Sequence, residues 1–485
     1  RTPEASAFLA GRQGDWGASL AAESFSTDGY VTVSPQQRGA VDTPMDSRHS
    51  SFAAGLERAF TGGGRAFLRA SLYDEDRDNG TPLQTNDTHI RQASAGADWT
   101  AGAAALSLRG WAGDQTYHQS FSSIAADRAS ERLTRLQTVP ADSQGFSAQA
   151  TQPFGEHQAL LGGVELRAVH GTSEEQAPTA SGGFLHTAAG GRQHTEALFA
   201  EDLVSATPRV SLTLGGRFDR WSNLSTASPS RRESAFSPRA SLLFRANSVL
   251  SLTAAAYRAF RAPTLNELYR GFRLGNVLTL ANPGLQAERL TGGEAGALAS
   301  SPGGRVSGRA TLFWMEVDRT IANVTQSTTP DLIIRLRENL GLTRSRGVEA
   351  EVTARAGERW TLVAGYLLSD ARVVRFPADP TLEGLRVPQV PRQQASLQVQ
   401  LAAPAAVAAA LQLRWVDVQF DDDRNQFPLR SFATVDLSAE RPLGRGLAVF
   451  AAGENLLGRS YEIGRTPIVT LGSPRLLRAG LRWRR

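Results

Sequence analysis

The chain has 485 residues, with 52 Lys and Arg against 47 Asp and Glu, 20% charged, 7% aromatic and no cysteine. No apolar run approaches the ~18 residues a membrane helix needs, and the longest candidate, Ala402 to Leu413, is interrupted by Pro404. Absence of cysteine excludes a disulfide framework and thiolate metal sites, and the arginines are scattered rather than blocked into a nucleic-acid-binding patch.

Taken in order, the sequence alternates apolar and polar side chains with a period of two. From Arg65 to Tyr73, Ala66, Leu68, Ala70 and Leu72 oppose Arg65, Arg69 and Ser71. From Arg209 to Trp221, Val210, Leu212, Leu214, Gly216 and Phe218 oppose Arg209, Ser211, Thr213, Arg217 and Asp219. Further copies at Ala159 to Val169, Arg359 to Ser369, Ala433 to Glu440 and Arg475 to Trp483 make the chain all-β. About 21 strands are expected, starting near residues 4, 16, 48, 64, 86, 103, 141, 157, 191, 209, 234, 248, 286, 304, 332, 358, 388, 405, 430, 446 and 473.

Connections alternate in length. Short ones include Thr61 to Gly63, Thr100 to Gly102 and Ala356 to Glu358; long ones include Ser26 to Ser47, Arg77 to Asn86, Tyr117 to Ala141, Gly171 to Gly191 and Phe260 to Gln286. Such alternation gathers the short turns at one end of a sheet, as in transmembrane β-barrels. A soluble sandwich has no reason to do so, and the blade repeats of a propeller are missing.

The most distinctive stretch, YRAFRAPTLNELYRGFRLGNVLTLANPGLQAE from Tyr257 to Glu288, reads as two strands joined by a long ordered loop that breaks at Pro263 and turns at Asn282-Pro283-Gly284. Its F-R-A-P-T-x-x-E-L-Y and N-P-x-L-x-x-E runs stand with Glu294-Ala295-Gly296, the early FSTDGY at Phe25 to Tyr30, Asn339 with Gly347-Val348-Glu349, and ENLLGRSY at Glu454 to Tyr461. Together these resemble the barrel of a TonB-dependent outer-membrane receptor.

The resemblance implies an antiparallel up-and-down barrel of the 22-strand type, here 1–485, in the bacterial outer membrane. With about 21 strands present, the N-terminal plug, the first strand and the TonB-contacting segment are expected to be absent, and Arg1 reads as the start of a mature or trimmed protein. It also implies TonB-energised uptake of a scarce large nutrient such as an iron–siderophore complex, by a monomer with no catalytic residue or cofactor. Partners are then outer-membrane lipid, the TonB complex through the absent N-terminal region, and an extracellular small-molecule ligand, with no nucleic acid. Relatives usually end on an aromatic residue, whereas this chain ends Trp483-Arg484-Arg485.

Arg261, Pro263, Glu267, Asn282, Pro283 and Glu288 are expected to fix the loop, and Tyr269, Arg270, Phe272 and Arg273, in its variable part, to touch ligand. Arg258 could join Arg261, Arg270 and Arg273 in attracting an anion. Asp421-Asp422-Asp423 is a cation candidate whose spacing fits no EF-hand, so a solvated charge run is the favoured reading. His118, His170, His186 and His194 show no zinc spacing but sit where loop histidines could meet a ligand. Arginines should face the lumen, because one at midplane on the lipid side costs about 2 to 4 kcal/mol, and Trp360 and Trp483 should join an interfacial girdle. Alternatives are a passive porin-like channel and an outer-membrane hydrolase, although no nucleophile signature occurs.

Overall fold

The computed structural model describes residues 1–225, 228–329, 332–403 and 406–484. The strand start expected at 405 and the terminal Arg485 lie outside the described residues. Twenty-one strands form one antiparallel sheet, in which each barrel strand pairs with its neighbours in chain order from Glu4–Gln13 to Leu476–Trp483. Among the described residues no ladder joins the first of these strands to the last. A meander with an odd number of strands runs its two edges in the same direction.

Register separates two faces, because directly opposed residues of an antiparallel pair share a side. One face carries Leu198, Phe218 and Phe236 in a row, with relative exposures of 60%, 47% and 64%. Leu56 and Leu68 repeat the pattern. This is the lipid side. The other face is polar: Arg217 bonds Glu165 at 3.1 Å and Asp219 at 2.9 Å, Arg65 and Arg109 both pair with Asp98, and Arg482 and Arg478 pair with Glu440 and Glu454. These arginines therefore line the lumen. At the short-turn end Trp16, Trp99, Trp360 and Trp483 stand exposed, forming the interfacial girdle. Two-residue reversals there need left-handed backbone, supplied for example by Gly102 at φ 62°.

Three expectations need correction. The long connections at 117–141 and 171–191 are mostly strand: Ala104–Ile124 meets Glu131–Phe154, and Gln158–Pro178 meets Phe184–Thr207. At ~3.4 Å per residue a 24-residue strand such as Glu131–Phe154 is about 80 Å long, far more than a bilayer requires, so these hairpins stand well above the membrane. In the same way Arg65–Thr81 and Gln84–Ala101 leave a two-residue connection where a ten-residue loop was expected. The strand expected at 332 is not in the barrel wall. Ile333–Asn339 pairs with Ile321–Thr328 and with Val277–Leu280, which itself pairs with Phe272–Leu274, in a separate four-stranded loop sheet. The barrel strand that follows is Leu342–Ala356.

The loops have their own apolar centres, since a single sheet facing lipid and water has no interior. One gathers Trp221, Leu268, Tyr269 and Leu285; the other gathers Val324, Leu340, Val373, Phe376 and Leu382.

Candidate functional site at the barrel mouth

Strand Leu250–Arg261 ends at the rim, and the chain then forms the helix Leu265–Tyr269. Thr264 caps it: its hydroxyl accepts from the Glu267 amide at 3.2 Å while the Glu267 carboxylate accepts from the Thr264 amide at 2.8 Å. This reciprocal pair satisfies two of the amides that a helix start leaves open. The T-x-x-E signature of this cap is present in the sequence, and the structure adds a short helix to the segment expected to be a loop.

Motif residues converge on this turn. Arg261 donates to Glu288 and, at 3.0 Å, to Glu267, so one guanidinium ties the strand before the loop, the helix within it and the strand after it. Glu288 also accepts the Ile321 amide at 2.7 Å. Pro263 is fully buried, and its carbonyl accepts from Gln193 at 2.8 Å. Asn282 holds the turn, its side chain accepting from the Gly284 amide and donating to the Arg337 carbonyl, both at 2.8 Å, while Pro283 stays exposed. Asn339 clasps the loop end, exchanging bonds with the Gln286 backbone at 2.8 and 3.0 Å.

Tyr269 is 6% exposed, and its hydroxyl accepts from Asn223 at 2.6 Å, beside the fully enclosed Trp221. It packs the loop against the wall. Arg270 reaches across to the tall hairpin, donating to Gln137 at 2.7 Å and Gln119 at 2.8 Å, with its guanidinium 4.8 Å from the Tyr117 ring centroid. Arg273 donates to Ser123 at 3.1 Å and to its neighbour carbonyl of Gly275 at 2.7 Å. Burial lowers its pKa, and Arg132 and Arg135 lower it further, which marks a site crowded with positive charge. Phe272 lies 5.3 Å from the Arg337 guanidinium.

Arg337 was not anticipated. At 6% exposure it donates to the carbonyls of Asn266 and Arg270, each at 2.6 Å, so a buried cation serves the carbonyl end of the short helix. Burial pushes its pKa down, opposed by Glu267 and reinforced by Arg270. In sequence it is one arginine among the alternating residues of IIRLREN, and nothing local sets it apart.

The three aspartates are engaged as acceptors. Asp421 takes the Gln389 side chain and the Arg465 amide, Asp422 takes the Gln426 and Phe427 amides, and Asp423 takes the Thr325 amide and hydroxyl, all within 2.7 to 2.9 Å. They knit loops together. No group of three or more metal-ligating side chains is assembled among the described residues. His118 lies 2.7 Å from Asp87 and His170 3.5 Å from Asp142, whereas His194 stands on the outward face and His186 pairs with Gln176 in the tall hairpin.

An antiparallel wall with an apolar exterior, a polar interior and packed loops at one rim defines a transmembrane barrel of the outer-membrane receptor type. The family model for TonB dependent receptor-like β-barrels matches residues 16–456, and the chain belongs to that family, whose members sit in the bacterial outer membrane and are transport receptors rather than enzymes. Among solved structures the fold is similar to that of the ferripyoverdine receptor of the outer membrane of Pseudomonas aeruginosa, at 15% identity and TM-score 0.78 over 99% of this chain and 70% of that one. It is likewise similar to the siderophore receptor PiuA of Acinetobacter baumannii, at 12% identity and TM-score 0.79 over 99% and 79%. The ferric yersiniabactin uptake receptor FyuA of Yersinia pestis gives 15% and 0.78 over 99% and 77%. No curated protein matches the sequence.

Proposed function

We propose that the chain forms the wall and outer loops of a receptor that binds an anionic iron–siderophore complex, or a nutrient of similar size, and imports it in a step energised by TonB. The cationic mouth carries this reading. Arg132 is exposed and without an ion pair among the described residues, and it stands with Arg135 close enough to Arg273 to depress its pKa; Arg270 points to the same hairpin. Such a field attracts and orients a chelate of net negative charge. The similar structures, a receptor bound to ferripyoverdine and a ferric yersiniabactin uptake receptor, support the same ligand class.

Parity supports the domain assignment. Two edge strands running in the same direction can be joined in an antiparallel cylinder only through one more strand, and an unpaired sheet edge is not tolerated in lipid. We place that strand, together with a plug and the TonB-contacting segment, in parts of the protein outside 1–485.

Growth of a deletion strain on individual iron chelates, cobalamin or glycans, with and without TonB, tests the function. Growth on a ferric siderophore that requires both the receptor and TonB is the expected result. Receptor-dependent uptake that survives loss of TonB would instead identify a passive channel.

A further inference from the structure

Within the barrel wall the lumen arginines are neutralised: Arg239 pairs with Glu201 and Arg309 with Glu349, both at 3.3 Å, as Arg217 does with Glu165. At the short-turn rim this pairing stops. Arg209, Arg245, Arg305, Arg355, Arg359 and Arg484 are all exposed, and none makes an ion pair among the described residues. Register puts them on the lumen side. Arg245 follows Arg239, and Arg355 follows Glu349, at even spacing along unbroken ladders, and Arg484 follows Arg482, the partner of Glu440. Arg359 directly precedes the outward Trp360. The Arg245 amide donates to the Arg209 carbonyl and the Arg355 amide to the Arg305 carbonyl, each at 2.7 Å, which seats each pair directly opposite on adjacent strands.

Like charges directly opposite on a sheet are destabilising, and here two such pairs stand without a carboxylate to relieve them. Arg245 has a side-chain bond to Ser211 at 3.3 Å and no acidic partner. Glu358 is the one carboxylate in the reversals at 208–209, 246–249, 301–305, 357–359 and 445–446. Over the earlier strands the same rim is mixed: Asp15, Glu57 and Glu156 stand there with Arg12, and Asp98 holds Arg65. Positive charge is therefore gathered into a crescent along one side of the short-turn mouth. Arginines around a water-filled opening draw anions into it and hold them by forked hydrogen bonds to carboxylate or phenolate oxygens.

We propose that this crescent is a second anion-binding station, at the periplasmic exit of the lumen, which takes an anionic ferric chelate released from the outer mouth and disfavours its return. Its role in uptake rests on the reading of the outer mouth as the site of a negatively charged chelate. Its chemistry does not, because none of its arginines takes part in the outer loops.

The test uses the full-length receptor in detergent, titrated by calorimetry with a trianionic tris-catecholate iron(III) complex and, as control, an uncharged tris-hydroxamate iron(III) complex. A second molecule of the trianionic complex should bind beyond the one at the outer mouth, with an affinity that falls as salt rises, and the uncharged complex should find no such site. Arg305→Gln with Arg355→Gln should weaken this second site about tenfold and leave the first unchanged. Because the substitution removes a like-charge pair, the urea midpoint should hold or rise, which separates lost binding from lost folding. Absence of the second site in the unaltered protein overturns the inference, and entry of vancomycin into cells carrying the double variant would then assign the arginines to holding the plug. Undiminished second-site binding by the folded variant overturns it as well. A single site that is lost with Arg305 and Arg355 but kept by Arg270→Ala with Arg273→Ala would sink the reading of the outer mouth and leave the exit station standing.

Discussion

Arg337→Ala probes whether the mouth is held as one unit with the loop sheet behind it. The guanidinium makes two short bonds to backbone carbonyls, and its residue is 6% exposed. A hydrogen bond to a charged group contributes about 1.5 to 3 kcal/mol, so two give about 3 to 6 kcal/mol. Water entering the vacated space recovers part of this, which leaves roughly 3 kcal/mol at the lower bound. That is about a hundredfold in the opening equilibrium of the loop. Hydrogen exchange should therefore accelerate about a hundredfold in peptides covering 262–287 and 333–339 and stay unchanged in the barrel ladders. Arg337→Lys should recover only part of the protection, because an ammonium is a point donor that does not reproduce the forked geometry. Unchanged exchange in 262–287 would refute the reasoning, and uniform acceleration across the barrel would show that Arg337 acts on global stability instead.

Two further outcomes follow from charge placement. Asp42 and Arg128, with side chains 1% and 10% exposed, clamp the loop 31–44 to the turn at 125–130. Burial pushes the Asp42 carboxyl up, but Arg128 and the Gly39 amide outweigh it and leave the pKa below its usual value. A depressed folded pKa adds stability that is present above the unfolded value near ~3.9 and is lost as pH falls through the folded one. The loop should stay protected from protease between pH 5 and 8 and detach only below about pH 4, and Asp42→Asn should release it at neutral pH at a local cost of about 3 to 5 kcal/mol. Release beginning near pH 6 would contradict this assignment. For the faces, Leu198→Arg should destabilise the barrel by about 2 to 4 kcal/mol in lipid, while Phe199→Arg, one residue on and facing the lumen, should cost far less; equal urea midpoints for the two variants would overturn the face assignment.

Where lipid imposes an apolar side, the period of two is strong, and the starts expected at 64, 209 and 358 fall within two residues of Arg65, Val210 and Trp360. Above the bilayer that pressure vanishes although the ladder continues. Asp74, Asp76, Asp87 and His89 pair in register with no apolar partner, so the periodicity that ends at Tyr73 stops eight residues before the strand does at Thr81. The loop sheet misleads in the opposite sense. Val324 packs into the loop core with Leu340, Val373, Phe376 and Leu382, Ile321 packs against the Trp221 and Leu268 cluster and Ile333 is buried, and that apolar pattern resembles a membrane strand near 332. Close backbone approach was equally invisible: a Cβ on Gly347 would lie 1.8 Å from the Leu368 carbonyl oxygen, so only glycine fits where Leu342–Ala356 meets Trp360–Arg375.

Arginine carries most of the remaining ambiguity, because one residue type does three jobs here according to where register puts it. On lumen-facing positions it is neutralised by a carboxylate on the same or a nearby strand, as Arg217 is by Glu165, and the alternation alone predicts that. Within the loops its partners lie far along the chain: Arg270 meets Gln137 and Gln119 at separations of 133 and 151 residues, and Arg337 meets carbonyls 67 and 71 residues away. No local pattern encodes such meetings, since they depend on how tall hairpins and inward-folded loops close over the mouth. At the third kind of position, outward and just above the lipid belt, Arg91 and Arg192 are left without a protein partner. Parity along the strand therefore separates an arginine that a lumen carboxylate neutralises from one that stands unpaired on the exterior.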